Sequence, residues 1–99
     1  MNNAAHHQNA SPPTDCPVYM VVEHFKQGAL DAVYERFKTY GRQLPDGLYY
    51  IDSWLSADTG TDICFQLMAT ENPDLFKTWT SHWDDLTDFT IYPITEKPT

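Results

Sequence analysis

Two kinds of hydrophobic spacing alternate along the chain, and its first half shows both. β-Branched and aromatic residues dominate Val18–Phe25 and a turn-like stretch follows at residues 26–28, which together predict a first strand. From Ala29 the spacing changes to three and four residues, with charged residues on the other face, and the recurring apolar positions are Leu30, Val33, Tyr34, Phe37 and Tyr40. This spacing predicts an amphipathic helix, and Gly41 is in the place expected of a helix-ending glycine.

The second half of the chain repeats this arrangement. Apolar runs at Leu48–Leu55 and at residues 63–69 predict two strands, and the polar residues 56–62 between them predict a hairpin connection. Asn72 followed by Pro73 is typical of a helix start, and the apolar residues that follow at helical spacing are Leu75, Phe76, Trp79, Trp83 and Leu86. A second helix is therefore expected after the third strand.

The last predicted strand covers residues 89–94, where Pro93 lacks a ladder donor and suits a sheet edge. The order β-α-β-β-α-β predicts an α+β, ferredoxin-like fold, in which both helices cover one face of a four-stranded antiparallel sheet. We expect this domain to span residues 17–96. Residues 1–16 are polar and rich in proline without apolar periodicity, so they predict a flexible tail.

Alternation along the strands assigns side chains to the two faces of this sheet. The set that mixes polar and apolar residues is assigned to the face without helices: Tyr50, Asp52, Trp54, Cys64, Gln66 and Met68. The opposite set, beneath the helices, contains Ile51, Leu55, Phe65 and Leu67. Together with Tyr92, the mixed set would expose a large apolar patch, which soluble monomers rarely tolerate. The pattern therefore predicts a homodimer formed through the helix-free sheet face.

Charge narrows the possible partners. Fourteen acidic residues against six basic ones give a net charge of −8, which repels a phosphate backbone and an anionic membrane, so we expect neither nucleic acid nor membrane as a partner. No apolar run approaches the roughly 20 residues of a membrane-spanning helix, and residues 1–15 lack the pattern of a secretory signal. We therefore expect a cytoplasmic protein whose Cys16 and Cys64 are reduced.

No metal and no cofactor are expected. His24, Asp52 and Cys64 lack the spacing of metal ligands, and the adjacent His6 and His7 in the tail lack converging partners. A glycine-rich phosphate loop is also absent from the sequence.

His24 and Glu23 at the end of the first strand are the candidate acid–base residues. Alternation puts only one of them on each sheet face, and the pattern leaves open which one faces inward. A histidine with a pKa near 6.5 can act as an acid or a base, whereas a strand-end histidine can also merely hydrogen-bond a loop. His24 is therefore the candidate catalytic residue, and Glu23 is a candidate ligand-binding residue.

The other candidate binding residues come from the second and third strands. Asp52 and Gln66 could orient a ligand, or they could pair with each other or with a second subunit, since buried polar groups need partners. Tyr50, Trp54 and Met68 could form an aromatic pocket wall, or they could be the core of an interface.

Several segments resemble a known family. They are residues 19–26, 33–37, 41–42, 44–48, 52–54, 64–68 and 79–89. Across about residues 18–94 the chain resembles a small bacterial family of domains of unknown function, and Glu23-His24-Phe25 and Phe65-Gln66-Leu67-Met68 are its most distinctive parts. The family is similar to the dimeric α+β barrel proteins, in which two ferredoxin-like sheets face each other across a dimer. The resemblance implies a fold and an assembly but no activity, and the tail before Val18 departs from it.

Two hypotheses for the function follow. The first is a dimeric binding or interaction module whose barrel accepts a small, partly apolar molecule or no ligand at all. The alternative is a cofactor-independent enzyme, an isomerase, monooxygenase or lyase-like protein, that acts on a small carbonyl or aromatic compound. In that case His24 is the acid or base, and Asp52 or Gln66 orients the substrate.

Overall fold

The computed structural model describes residues 11–57 and 62–95. Its elements follow in the order β1 (Val18–Phe25), α1 (Leu30–Tyr40), β2 (Leu48–Leu55), β3 (Ile63–Thr70), α2 (Leu75–Thr80) and β4 (Thr87–Ile94). The four strands form one antiparallel sheet with the order β2-β3-β1-β4. This order confirms the predicted ferredoxin-like α+β fold, with β4 at an edge as Pro93 suggested.

Two predicted segments fall partly outside the described residues. Residues 1–10 of the predicted tail and residues 58–61 of the predicted hairpin connection are among them. Within the described ranges, neither helix is long and apolar enough to cross a membrane.

The first helix ends where the sequence predicts. Gly41 has a φ of 69°, a left-handed conformation that glycine adopts without steric cost, and its N–H donates to the Phe37 carbonyl at 2.7 Å. This termination directs Arg42, the next residue, back toward the sheet. Val33 on α1 is buried against the sheet, and Phe37 packs on the same core.

The second helix is shorter than its apolar spacing predicts. It also begins later, at Leu75 instead of Pro73, and Asn72 Oδ1 accepts the Asp74 N–H at 3.1 Å in the turn before the helix. The helix ends at Thr80, and the chain continues in turns in which the N–H of Trp83 donates to Thr80 and that of Leu86 to Trp83. Trp83 is nevertheless buried. Consecutive three-residue turns keep the apolar side chains on the sheet while the α-helix itself has ended.

The core lies between the sheet and the helices. Its buried members come from both layers and from the segment between α1 and β2: Val21, Val33, Leu44, Leu48, Met68, Phe76, Trp79 and Trp83. The Trp79 and Phe89 rings lie 5.3 Å apart between their centroids, and Tyr19 meets Phe76 edge to face at 5.0 Å. Trp79 and Trp83, which share the apolar spacing of the second predicted helix, are both buried in this core.

The face assignment from alternation is wrong for β3. Gln66 is 4 % exposed and Met68 is 0 % exposed, and both lie on the face that the helices cover, as does Cys64. Phe65 and Leu67 therefore face the helix-free side of the sheet. The assignment failed because it placed the polar residue Gln66 on the solvent side, whereas Gln66 is buried with hydrogen-bonding partners.

In β2 the predicted face is correct for Asp52 and Trp54 but wrong for Tyr50, because the strand contains an irregularity after Tyr50. Tyr50 pairs with Met68 on the covered face, but the register then skips Ile51, and Asp52 pairs with Leu67 on the helix-free face. Trp54 pairs with Phe65 on that same side. An extra residue in a strand exchanges the faces of all residues after it, so strict alternation fails at this point.

Candidate functional site

A chain of polar side chains runs beneath the helices. Glu23 on β1 is 6 % exposed, and its Oε1 accepts a hydrogen bond from Gln66 Nε2 on β3 at 2.8 Å. The Oε1 of Gln66 accepts a longer bond, of 3.4 Å, from Arg42 Nε. Gln66 thus connects a buried carboxyl group to a half-buried guanidinium group.

Aromatic residues fix the position of Arg42. Its guanidinium carbon lies 3.5 Å from the centroid of the Tyr50 ring and 5.2 Å from that of Phe37. Its carbonyl oxygen accepts the indole N–H groups of Trp79 at 2.9 Å and Trp83 at 3.1 Å. The backbone is thus anchored by two core tryptophans, and the cation rests on aromatic faces.

A pocket of about 240 Å³ opens beside this polar chain. Its walls are mostly aromatic and aliphatic, and they come from the sheet, from α1 and from the segment around α2: Phe25, Val33, Tyr34, Phe37, Trp54, Leu55, Trp79 and Trp83. Its polar lining consists of Glu23, Arg42, Ser53, Cys64 and Gln66. Ser53 is in turn held by the Tyr50 hydroxyl at 2.6 Å.

Burial changes the acidity of the groups in this pocket. Burial raises the pKa of Glu23 to about 7, although the Gln66 hydrogen bond and the charge of Arg42 act in the opposite direction. Burial, with a smaller effect of Glu23, raises the pKa of the Cys64 thiol to about 11. Glu23 therefore gains or loses its proton near neutral pH, whereas Cys64 stays a thiol and is a poor nucleophile.

The structure brings some of the predicted site residues together. Glu23 and Gln66 line the pocket, Trp54 borders it, and Tyr50 lies beneath Arg42. Met68 belongs to the core, where it is fully buried. The suggested pairing of Gln66 with Asp52 is not present, because Gln66 bonds Glu23 instead.

Two predicted site residues lie on the other side of the sheet. His24 is exposed and pairs in register with Asp88 and Ile63, and Asp52 is exposed opposite Leu67. Alternation along β1 thus turns Glu23, and not His24, toward the pocket. A catalytic role for His24 stays a prediction of the sequence.

Arg42 and Ser53 also line the pocket, although neither was predicted as a site residue from the sequence. The signal for Arg42 was its place directly after a helix-ending glycine, in a chain with six basic residues. Its partners Gln66 and Trp83 are 24 and 41 residues away, so local patterns do not reveal them.

Metal ligands do not converge in residues 11–57 and 62–95, where no three His, Cys, Asp or Glu side chains are placed to hold an ion. The polar groups of the pocket are instead the carboxyl of Glu23, the amide of Gln66, the hydroxyls of Ser53 and Tyr34, the thiol of Cys64 and the guanidinium group of Arg42. Such a set can bind an organic molecule through hydrogen bonds and charge.

The fold and the pocket define a class of protein, a ferredoxin-like α+β domain with a cavity between its sheet and its helices. A family model described as a domain of unknown function (DUF3303) matches residues 17–98, and the chain belongs to this family. This match confirms the resemblance to a family of unknown function. Searches of curated proteins and of solved structures found no match.

Proposed function

We propose that the pocket between the sheet and the helices binds a small, partly apolar molecule. The observation that supports this is the buried chain Glu23–Gln66–Arg42 at the wall of an aromatic cavity. Protein interiors are close-packed, and burying polar groups carries a cost, so stability alone does not favour a cavity lined by such groups. A ligand that occupies the cavity and forms hydrogen bonds with these groups accounts for both the cavity and the buried polar groups.

The size and lining of the pocket limit the ligand. Sites for drug-sized ligands enclose about 300–1,000 Å³, and the present cavity of about 240 Å³ is smaller. Its aromatic walls fit a ring or a short branched chain, and the few polar groups along one side would fix the orientation of the ligand.

A thermal-shift screen with small aromatic and alicyclic compounds tests this proposal. We expect at least one compound to raise Tm in a concentration-dependent manner, because it binds only the native state. Cys64→Phe places a ring in the pocket and should abolish the shift. Ala32→Phe adds the same ring at an exposed position of α1 and should preserve it. Equal shifts in both variants, or no active compound, would contradict the proposal.

Glu23 supports a second candidate function, proton transfer on a bound carbonyl compound. The carboxylate of Glu23 can take a proton from the carbon next to the carbonyl and return it, while the guanidinium group of Arg42 stabilises the enolate oxygen. The pKa of Glu23 of about 7 favours this role, since an acid–base group works best near ambient pH. In this version of the enzyme hypothesis Glu23 replaces His24.

Deuterium exchange at the methyl group of acetophenone in D2O, followed by NMR, tests the second candidate. We expect the wild-type chain to exceed the buffer rate and Glu23→Gln to return it to that rate. His24→Gln serves as the control and should exchange like the wild type. Identical rates for the wild type and Glu23→Gln would contradict proton transfer by Glu23.

We also propose that the helix-free sheet face pairs with a second copy of the chain. Trp54 is 50 % exposed and Tyr92 is 55 % exposed on this face, and Phe65 is also exposed there. Met20 lies in register between Leu67 and Tyr92, so the apolar residues continue across the strands. An isologous pair would cover the patch in both copies. Sedimentation should then give twice the 11.4 kDa mass of the chain, and a particle of 11.4 kDa at every concentration would contradict pairing.

A further inference from the structure

The two arginines near the tryptophans differ in their partners. Arg36 makes two hydrogen bonds with the carboxylate of Asp85, at 2.7 and 2.8 Å. Arg42 is half-buried, but no carboxylate within the described ranges lies within 4 Å of its guanidinium group. Its contacts are instead the amide oxygen of Gln66 and the face of the Tyr50 ring.

A half-buried cation without a counter-charge is unfavourable. Removing a charge from water carries a large cost, and an aromatic face offsets only part of it. The nearest carboxyl group in the pocket is Glu23, which contacts Arg42 only through Gln66. Because burial favours the neutral form of Glu23, it is a weak counter-charge for Arg42 near neutral pH.

We propose that the ligand is a small organic monoanion, a carboxylate on an apolar, ring-sized body, whose charge pairs with Arg42 inside the pocket. This inference rests on the proposed function, because it names the class of ligand for the same pocket. The planar guanidinium group suits a carboxylate, with which it can form two parallel hydrogen bonds. The aromatic walls then hold the apolar body of the ligand.

A cationic ligand is the opposite possibility. Aromatic walls and a carboxyl group are typical of ammonium-binding pockets. Here the cationic position is already taken, because Arg42 stacks on Tyr50 at 3.5 Å. A second positive charge would meet Arg42 in a partly desolvated pocket, where like charges repel strongly. The geometry therefore favours an anion.

The ligand charge and the proton on Glu23 are coupled. The titratable or charged groups around Glu23 are Arg42 after α1, Tyr34 on α1, Tyr50 on β2 and Cys64 on β3. No titratable or charged residue of α2 lines the pocket, and β4 contributes no lining residue. An anion in the pocket repels ionised Glu23, so binding favours its protonated form. Affinity for an anion should then fall as the pH rises above about 7, by up to about tenfold per pH unit.

Three probes with the same phenylpropyl body test the inference by calorimetry at pH 6: 3-phenylpropionate, 3-phenylpropan-1-ol and 3-phenylpropylamine. We expect the anion to bind at least about tenfold more tightly than the alcohol, which is a modest charge-assisted contribution, and the amine to bind most weakly. Arg42→Met should remove the preference for the anion. Arg36→Met removes the same charge beside Trp83, outside the pocket lining, and should keep the preference.

A measurement on the wild-type chain keeps the inference testable if Arg42→Met does not fold. Binding of 3-phenylpropionate at pH 7.5 in buffers of different ionisation enthalpy should show proton uptake. Glu23→Gln should show neither proton uptake nor a decrease in affinity between pH 6 and pH 8.

The outcomes separate this inference from the proposed function. Equal affinities for the anion and the alcohol, a preference for the amine, or no effect of Arg42→Met would overturn the inference and leave the binding pocket intact. Absence of saturable binding for all three probes would overturn the proposed function, and the inference with it.

Discussion

Glu23 is the residue in which burial and chemistry are most closely connected. Glu23 lies on β1 and accepts a hydrogen bond from Gln66 on β3. The Gln66 amide separates it from Arg42. A direct ion pair with Arg42 would hold its pKa low, whereas burial with one neutral partner raises the pKa to about 7. Burial therefore makes the carboxyl group responsive near neutral pH, and the Gln66 amide keeps Arg42 out of a direct ion pair with it.

This raised pKa predicts a pH-dependent stability. In the folded chain Glu23 keeps its proton up to about pH 7, while the unfolded chain loses it near pH 4.5. Between these values the folded state binds more protons at Glu23, so the contribution of this residue to stability is fully present below pH 4.5 and is lost as the pH rises through 7. A shift of this size corresponds to roughly 3 kcal/mol. Urea unfolding of the wild type and Glu23→Gln from pH 4 to pH 8 measures it.

Glu23→Gln has no proton to lose and is the reference. We expect the free energy of unfolding of the wild type to fall relative to that of Glu23→Gln between pH 4.5 and pH 7.5. A difference that stays constant across this range would show that Glu23 titrates normally.

Among the elements, the turns after α2 place side chains in the core at positions where the sequence predicted a longer helix. Trp83 lies beyond the last helical residue, yet it is buried and its indole N–H donates to the carbonyl of Arg42. Spacing by three and four residues arises from an α-helix and also from consecutive turns. Periodicity therefore identified the buried residues correctly but not the length of the helix.

Truncation of Trp83 tests the packing of this segment. Trp83→Ala removes a core ring and a hydrogen bond, and it should lower the free energy of unfolding by roughly 3–5 kcal/mol. Tyr40→Ala removes an aromatic ring that is 61 % exposed on α1 and should cost far less. Chemical denaturation of the two variants gives the comparison, and equal losses would show that Trp83 does not belong to the core.

The helices, the strands and their order were predictable because each element has a characteristic spacing of hydrophobic residues. The faces of β2 and β3 were not, for two physical reasons. An irregularity at Ile51 exchanges the faces of β2, and alternation gives no sign of it. Gln66 is buried because Glu23, 43 residues earlier in the chain, satisfies it. Partners so distant in the sequence are set by the fold and not by local pattern.

At the scale of the whole molecule, the sheet separates two surfaces with different properties. The covered face holds the pocket and its polar chain. The helix-free face carries exposed aromatic side chains although the chain has a net charge of −8. Long-range charge repulsion opposes pairing of two copies, so burial of apolar area must exceed it.

A charge among the exposed aromatic residues of the helix-free face should disrupt pairing. Trp54→Glu places a carboxylate in the proposed interface, so we expect its sedimentation to shift toward the single-chain mass. Tyr40→Glu adds the same charge at an exposed position on α1 and should leave the assembly unchanged. If the wild type and Trp54→Glu sediment alike at equal concentration, the helix-free face is not the interface.

NMR titration of the 15N-labelled chain with 3-phenylpropionate tests whether the pocket beneath the helices is a binding site. We expect saturable shifts of the Glu23 and Gln66 amides and of the Trp79 and Trp83 indole N–H groups, which surround the pocket. Shifts confined to the helix-free face around Tyr92, or shifts that grow linearly without saturation, would contradict binding in the pocket.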